Sequence, residues 1–384
     1  MCEYHDCHII SFGDPTAGER AKQLRREMPS LGIIDVFPAA RGLKAHLRRA
    51  GAAVRLLPPP VGPYLDGQFV SALRNLTRQQ RFNVVFYDVI VMAPYRRIAP
   101  DIPSIHSPND ATSRSYERLA LEEANFLRRA YLRLCMLLLR RYERCNYRHF
   151  SAVHVVSPVD GQYLQNLDQS MKVRVIPIAV DDRFLRYEVP ALSRNYGRPP
   201  RLLFSGNLAI RGILTGLLGF IDRGLPRVLV EFPDAEFIIL SGGSMPDSLA
   251  TKASHIPAIK VIQWAADYLE AVAQADVVVA PDRSGTGLKN RVLQAMALGR
   301  PVVGSSIALE GFDVVNGVHA VKCDSPEEMG EAVARLFRDE KFCRSIGNAA
   351  RGLVRDLYAA EVIAAEWRAL FEEIGDRPSG VGVG

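Results

Sequence analysis

Little in this sequence is arranged in pairs. Six cysteines among 384 residues (Cys2, Cys7, Cys135, Cys145, Cys323 and Cys343) are scattered along the chain. A disulfide framework is therefore not expected, and reduced thiols are the reading. Cys2 and Cys7 lie near His5 and His8, but no second ligand pair with zinc-like spacing follows, so no metal site is assigned. No Asp-x-Asp pair for a divalent cation stands out. No apolar run reaches the roughly 20 residues that would cross a membrane. The start, MCEYHDCHIISFGD, lacks a basic segment followed by a long apolar one. No secretory leader is expected from it, and a cytoplasmic setting is. There is no internal repeat, and low complexity is confined to the tail PSGVGVG.

What is present is an ordinary globular composition, 48% hydrophobic and 23% charged. The length exceeds what one core usually supports, so two domains are expected. Charge is unevenly spread. Residues 1–190 carry 27 Lys and Arg against 19 Asp and Glu, and the remainder carries 21 against 23. The first half thus favours an anionic partner, a membrane surface or a phosphate-bearing substrate. No recognised nucleic-acid motif accompanies that charge.

Apolar runs alternate with helical patterns throughout. HIISFG, GIIDVF, AAVRLL, FNVVFYDVIVMA, SAVHVVS and KVRVIPIAV read as strands in the first half. PRLLFSGN, AEFIILSGG, IKVIQWA, DVVVAP, RPVVGSS and GVHAVKC read as strands in the second. Such alternation means parallel sheets with helices on both faces. Pro190–Pro200 reads as a linker. The expected organisation is an α/β chain of two doubly wound, Rossmann-like domains, 1–190 and 200–360, facing each other across a cleft, with a helix and tail at 361–384. Ser325 and Glu328 are spaced as a capping box. From Ser115 to Arg148 one long helix is expected, because Leu119, Phe126, Ala130, Leu134 and Leu138 recur at helical spacing. Its arginines leave two readings: a basic face lying on an anionic membrane, or a buried apolar stripe with solvated arginines.

In this architecture ligands bind beyond the carboxyl ends of the strands. The stretch RSGTGLKNRVLQAMALGRPVVGS follows the strand DVVVAP and opens a helix. Unpaired amides at a helix start carry positive partial charge, the glycines allow close approach, and Arg283, Lys289 and Arg291 add full charges. That is a site for a diphosphate, or else an ordinary helix end with surface cations. In the first half His106, Asn109, Asp110 and Ser113 follow a strand. Asp110 could orient or deprotonate a hydroxyl, unless Asn109–Asp110 is only a turn feeding the next helix.

At these residues the chain resembles a known family. GTGLKNRVLQAMALGRPVVGSSIALEGF is similar to the signature of retaining glycosyltransferases of family four, closest to the branch found in exopolysaccharide gene clusters. FSGN, PDAEFIILSGG and ADVVVAP agree in order and position, as do AGERAKQ, VMAPY, SPNDATS and VHVVSPVDGQYL in the first half. The resemblance implies the GT-B fold and a nucleotide-diphosphate sugar as donor, held mainly by the second domain. It implies that Lys289, Arg291, Arg283 and the loop of Gly18 and Arg20 face the diphosphate. Gly206, Asn207, Arg211, Gly242 and Gly243 would border the nucleotide, Trp264 and Ala265 the base. Thr286, Gly287, Leu288, Asn290 and Gln294 complete the donor set, and His106 and Asp110 are the catalytic candidates. Retention of configuration is expected, with fixed cations stabilising the leaving group and no cofactor or metal required. The acceptor would be a lipid-linked glycan or a natural-product aglycone, with peripheral membrane contact through the basic half.

The chain departs from the family in two places. Thr286 and Gln294 stand where many members have two glutamates, and Asn207 stands where an arginine is usual, with Arg211–Gly212 nearby in place of a Lys-Gly pair. Gln294 can still bond ribose hydroxyls, without charge. These departures keep a non-catalytic sugar-nucleotide-binding protein open as an alternative. A nucleotide-sugar epimerase of the same fold is the other, although its acid–base carboxylates and histidines are few here.

Overall fold

A computed structural model of the chain describes residues 6–13, 17–27, 31–189, 198–263, 265 and 267–375. The linker, the tail, Cys2, His5 and Trp264 named above lie wholly or largely outside the described residues. The chain divides into two units, one formed by 1–176 together with 364–384, the other by 177–363.

The first unit begins with β1 (Cys7–Gly13), α1 (Ala17–Glu27), β2 (Leu31–Pro38), α2 (Gly42–Val54) and α3 (Gly67–Gln79). Then come β3 (Val85–Asp88), β4 (Ser104–Asn109), α4 (Thr112–Glu122), α5 (Phe126–Tyr147), β5 (Ala152–Val155), α6 (Pro158–Leu167) and β6 (Val173–Val175). All strand pairs are parallel: β1 with β2, and a second sheet in the order β3-β4-β5-β6. Phe69, Tyr87, Tyr142, Tyr147, Phe150, Val153 and Leu164 fill the core.

Three expectations fail here, the first at FNVVFYDVIVMA, whose strand ends at Asp88 while Ile90–Ile98 form a 3-10 helix. AAVRLL is not a strand: α2 runs on to Val54, and the chain turns before Pro58. The Ser115–Arg148 pattern is not one helix. It breaks at Glu123–Asn125, where the Asn125 side chain accepts from the Arg128 amide and starts α5 afresh. The recurring stripe also faces the other way. Phe126 and Leu134 are exposed, while Cys135, Leu139, Tyr142, Glu143 and Tyr147 meet the core. Helical spacing tells which residues share a face, and the tertiary partner decides which face is covered.

The second unit holds α7 (Asp182–Arg186), β7 (Arg201–Ser205), α8 (Arg211–Gly219), α9 (Leu225–Glu231), β8 (Glu236–Ser241), α10 (Asp247–His255), β9 (Ile259–Gln263) and α11 (Tyr268–Ala273). It continues with β10 (Val277–Ala280), α12 (Asn290–Ala297), β11 (Val302–Gly304), β12 (Val321–Lys322), α13 (Pro326–Arg338), α14 (Glu340–Tyr358) and the start of α15 (Ala360–Gly375). Six parallel strands lie in the order β12-β11-β10-β7-β8-β9. In chain order within the unit that is 6-5-4-1-2-3, so the direction of winding reverses between β7 and β10. At such a reversal the connecting helices leave to opposite faces and a crevice opens at the carboxyl ends. The strands are continuous apolar runs because both faces are covered: every residue of β10 is buried.

Close backbone approach fixes the helices against this sheet. A Cβ on Gly216 of α8 would lie 1.8 Å from the Pro281 carbonyl oxygen. One on Gly347 of α14 would lie 2.1 Å from that of Gly299, which ends α12 with φ +62°. Ser325 caps α13 in a reciprocal capping box with Glu328, as its spacing predicts.

Candidate functional site

Each second-unit segment expected to hold the donor follows a strand of the six-stranded sheet. Gly206, Asn207 and Arg211 follow β7, Gly242 and Gly243 follow β8, and Ala265 follows β9. Arg283 through Gln294 follow β10. Because the strands are parallel neighbours, these segments share one edge of the sheet. The β7 and β10 loops, flanking the reversal, touch directly: the Arg283 amide donates to the Gly212 carbonyl at 3.3 Å. A Cβ on Gly212 would sit 1.7 Å from the Ser284 hydroxyl oxygen, so only glycine lets α8 start there.

The cations at this edge are held by the chain itself. Lys289 is buried as the residue before α12, and its ammonium donates to the carbonyls of Thr286 (3.1 Å) and Gly287 (2.6 Å). Gly285 and Gly287, at φ +128° and +65°, give the loop the backbone that presents those carbonyls. Arg291, in the first turn of α12, pairs with Asp282, whose side chain is 1% exposed. Asp282 Oδ2 and Arg291 Nε are buried and have no hydrogen-bond partner among the described residues. Arg283 is exposed, and Gln294 is half-buried one turn beyond Arg291. Asn207 folds back, its side chain accepting from the Ala209 amide at 3.0 Å. It shapes a turn where the family has a cation. Gly243 takes φ +96°, and Gln263 donates to its carbonyl at 3.2 Å.

In the first unit Gly18 and Arg20 are exposed in the first turn of α1, after β1. His106 requires a correction. It is fully buried in the middle of β4, its Nδ1 3.0 Å from the Tyr87 carbonyl, its ring stacked on Phe150. Burial lowers its pKa to about 3, so it stays neutral, a core residue rather than an acid–base group. Asp110 is half-buried at the end of β4, after Asn109 with φ +69°.

Beside Asp110 lies a residue the sequence reading passed over. Glu143 of α5 is fully buried and accepts from the amide (2.9 Å) and hydroxyl of Ser113, in the first turn of α4. The same hydroxyl reaches Tyr163, to which Arg140 donates at 2.9 Å. Burial raises the Glu143 pKa to about 7, with the Asp110 charge pushing the same way and the Ser113 bonds opposing. The available signal was that Glu143 is the one acid among six arginines in α5. The role of Asp282 went unassigned for a different reason: its pairing with Arg291 closes only once the β10 loop folds.

The model of glycosyltransferase family 4 matches residues 4–184, and that of glycosyl transferases group 1 matches residues 199–339. Each half of the chain is thus similar to one glycosyltransferase domain. The sucrose-phosphate synthase of Thermosynechococcus elongatus superposes on the whole with a TM-score of 0.66 at 16% identity, covering 96% of this chain and 98% of that one. Anabaena HepE, solved in complex with UDP-glucose, gives a TM-score of 0.63 at 12% identity over 95% and 99% of the two chains. At these identities the likeness is one of fold, and the fold of this chain is GT-B. An exopolysaccharide phosphotransferase of Streptomyces coelicolor is 32% identical over 110 residues, 27% of this chain and 11% of that protein. The chain thus spans about a tenth of that relative's length. The reversal between β7 and β10, with Lys289, Arg291 and Asp282 beside it, falls inside the group 1 domain, and Ser113, Glu143 and Asp110 fall inside the family 4 domain.

Proposed function

We propose that this chain transfers a sugar from a nucleoside-diphosphate sugar to an acceptor hydroxyl, with retention of anomeric configuration and without a metal. The observation that carries the reading is the edge where the β7 and β10 loops meet. It combines a winding reversal, the amino end of α12, and Arg283, Lys289 and Arg291 within nine residues. As the sugar–phosphate bond breaks, negative charge grows on the diphosphate. Fixed cations and helix-start amides stabilise it where it appears. For Arg291 to take part, it shares its guanidinium between the phosphate and Asp282, whose carboxylate holds it in place. Lys289 does the same through the carbonyls of Thr286 and Gly287. Attack by the acceptor from the face the diphosphate leaves would retain configuration, and the leaving phosphate oxygen can take the acceptor proton. The structural neighbour bound to UDP-glucose supports a nucleoside-diphosphate hexose as donor. A lipid-linked glycan or an aglycone is the acceptor class, and the basic first half gives the chain a peripheral membrane contact.

One observation favours a second reading, a binding protein without turnover. A buried carboxylate, Asp282, neutralises one of the donor-site cations. Release of free nucleoside diphosphate from UDP-, GDP-, dTDP- and ADP-sugars decides between them. Turnover that persists in EDTA supports the proposal. Binding without any turnover leaves the second reading, and activity that vanishes with EDTA and returns with manganese overturns the metal-independent part.

A further inference from the structure

The end of β7 carries a polar pair outside the donor set. Ser205, the last residue of β7, is 4% exposed, and its hydroxyl lies 3.0 Å from that of Tyr268, the first residue of α11. Two hydroxyls bring two hydrogens, and the bond between them spends one. Among the described residues neither oxygen has a second hydrogen-bond partner, so one O–H is left to donate elsewhere. Apolar side chains would fill the same space without desolvating two hydroxyls, so packing does not account for the pair. The ring is held in place. It packs on the apolar core that β10 and α12 share, edge-on to Phe184 with ring centroids 6.4 Å apart. Asp267 caps α11 immediately before it, accepting from the Glu270 amide at 3.0 Å. The phenol thus has a fixed position, at the winding reversal. The ladder that pairs Val277 with Leu202 and Val278 with Leu203 brings the end of β7 beside the end of β10, where Asp282 and Arg291 pair. Burial raises the Tyr268 pKa, and the Ser205 bond and the Arg291 charge oppose it, so the phenol lies in the field of that guanidinium.

We propose that Tyr268 is a further donor-binding residue: Ser205 donates to its oxygen, and its own O–H donates to a diphosphate oxygen of the ligand seated on Arg291. The order within the pair follows from acidity. A phenol is a stronger donor than an aliphatic hydroxyl, and the hydrogen it accepts strengthens it further. An anion is the acceptor that suits this place. The cation beside the phenol is a guanidinium, and an oxyanion bridging the two gains a charge-assisted bond from each. The inference rests on the proposed donor site and adds to it a neutral contact, one that strengthens binding without adding charge.

The test is titration calorimetry of the full chain with UDP, GDP, dTDP and ADP, then with the glucose conjugate of the tightest binder. The matching nucleoside is followed by saturation-transfer NMR. Tyr268→Phe keeps the ring and removes the O–H. It should weaken the diphosphate and its glucose conjugate by the same factor, about tenfold, and leave the nucleoside unchanged. Ser205→Ala leaves the phenol its hydrogen and should weaken the diphosphate no more than about threefold. Where Tyr268→Phe also lowers the melting temperature, the nucleoside decides: a distorted crevice weakens every ligand, a lost phosphate contact only those that carry phosphate. Unchanged diphosphate affinity in Tyr268→Phe overturns this inference alone. So does a loss confined to the glucose conjugate, or one shared equally by the nucleoside. A parent chain that binds none of the diphosphates overturns it together with the reading it rests on.

Discussion

The two strand-end clusters are built on opposite charge. At the end of β4 a buried carboxylate, Glu143, is the centre, with hydroxyl and amide donors from Ser113 aimed at it. At the ends of β7 and β10 the centres are cations, Lys289 and Arg291, with carbonyls and the Asp282 carboxylate aimed at them. Each cluster satisfies its own charge before any ligand arrives. The difference lies in what burial does to that charge. At the second cluster the Arg291 guanidinium lies against the Asp282 carboxylate, a pair of opposite charges. A lone carboxyl under the same burial moves toward neutrality. The first cluster is therefore a proton-responsive structure, and the second is a fixed electrostatic one.

The largest effect is expected where the cation cluster depends on bare backbone. Gly216→Ala places a methyl 1.8 Å from the Pro281 carbonyl, an atom that cannot swing aside. It should cost roughly 3 kcal/mol or more through displacement of α8 from the β10 loop. The melting temperature and nucleotide affinity should fall together; an unchanged melting curve would show that the two loops are not locked as described.

The next effect belongs to the carboxylate cluster and is a pH dependence. With a folded pKa near 7 against an ordinary 4.5, the folded state favours protonated Glu143. The stability this group contributes is thus full below about pH 4.5 and is lost as pH rises through about 7, a swing of about 3 kcal/mol. Glu143→Gln should flatten that part of the stability-versus-pH curve between pH 5 and 8, measured by denaturant unfolding. A wild-type curve already flat there would place a permanent charge in the core of the first unit.

At the cation cluster Lys289→Ala and Arg291→Ala should each weaken nucleoside-diphosphate binding by about 1–3 kcal/mol. Arg291→Ala should also leave Asp282 buried and unpaired, so it alone should destabilise the free protein. Calorimetry and thermal melting on the same samples separate the two. Equal melting temperatures for both variants would mean that Asp282 does not depend on Arg291.

The smallest effect is expected at Gln294. Gln294→Glu should keep donor affinity, because a carboxylate can accept two ribose hydroxyls, whereas Gln294→Leu should lose about 1 kcal/mol. Identical affinities in all three would remove Gln294 from the ribose.

The alternation of strands and helices was legible because parallel strands covered on both faces read as unbroken apolar runs, as in DVVVAP. The Ser325 box was legible because its chemistry is local. AAVRLL misled because a short apolar run suits a helix end as well as a strand. The α4–α5 break was written in Asn125, a good cap inside an apolar repeat, and the repeat outweighed it. The face of α5 could not be read at all: periodicity groups Phe126 with Leu134, and only the packing of Leu139 and Tyr142 shows that the other side is covered. In the donor segment Lys289 and Arg291 stood out by charge beside glycines. Their restraint by Thr286, Gly287 and Asp282 is a matter of loop conformation, which residue types alone do not specify. His106 was misjudged because Ser104–Asn109 was not read as a strand, and His106 sits in the middle of it.

The helix α15 leaves the second unit at Ile363 and completes the first. Its Trp367 lies against the rings of Phe86 and His154, and its Glu373 pairs with Arg174 at 2.9 Å. During synthesis the middle of the chain, 177–363, can close its own core as it emerges. The first unit, although it precedes the second along the chain, needs α15, which follows the second, to lay Trp367 against Phe86 and His154. Removing α15 would therefore uncover Phe86 and His154, so a change made beyond the second unit would be felt in the first.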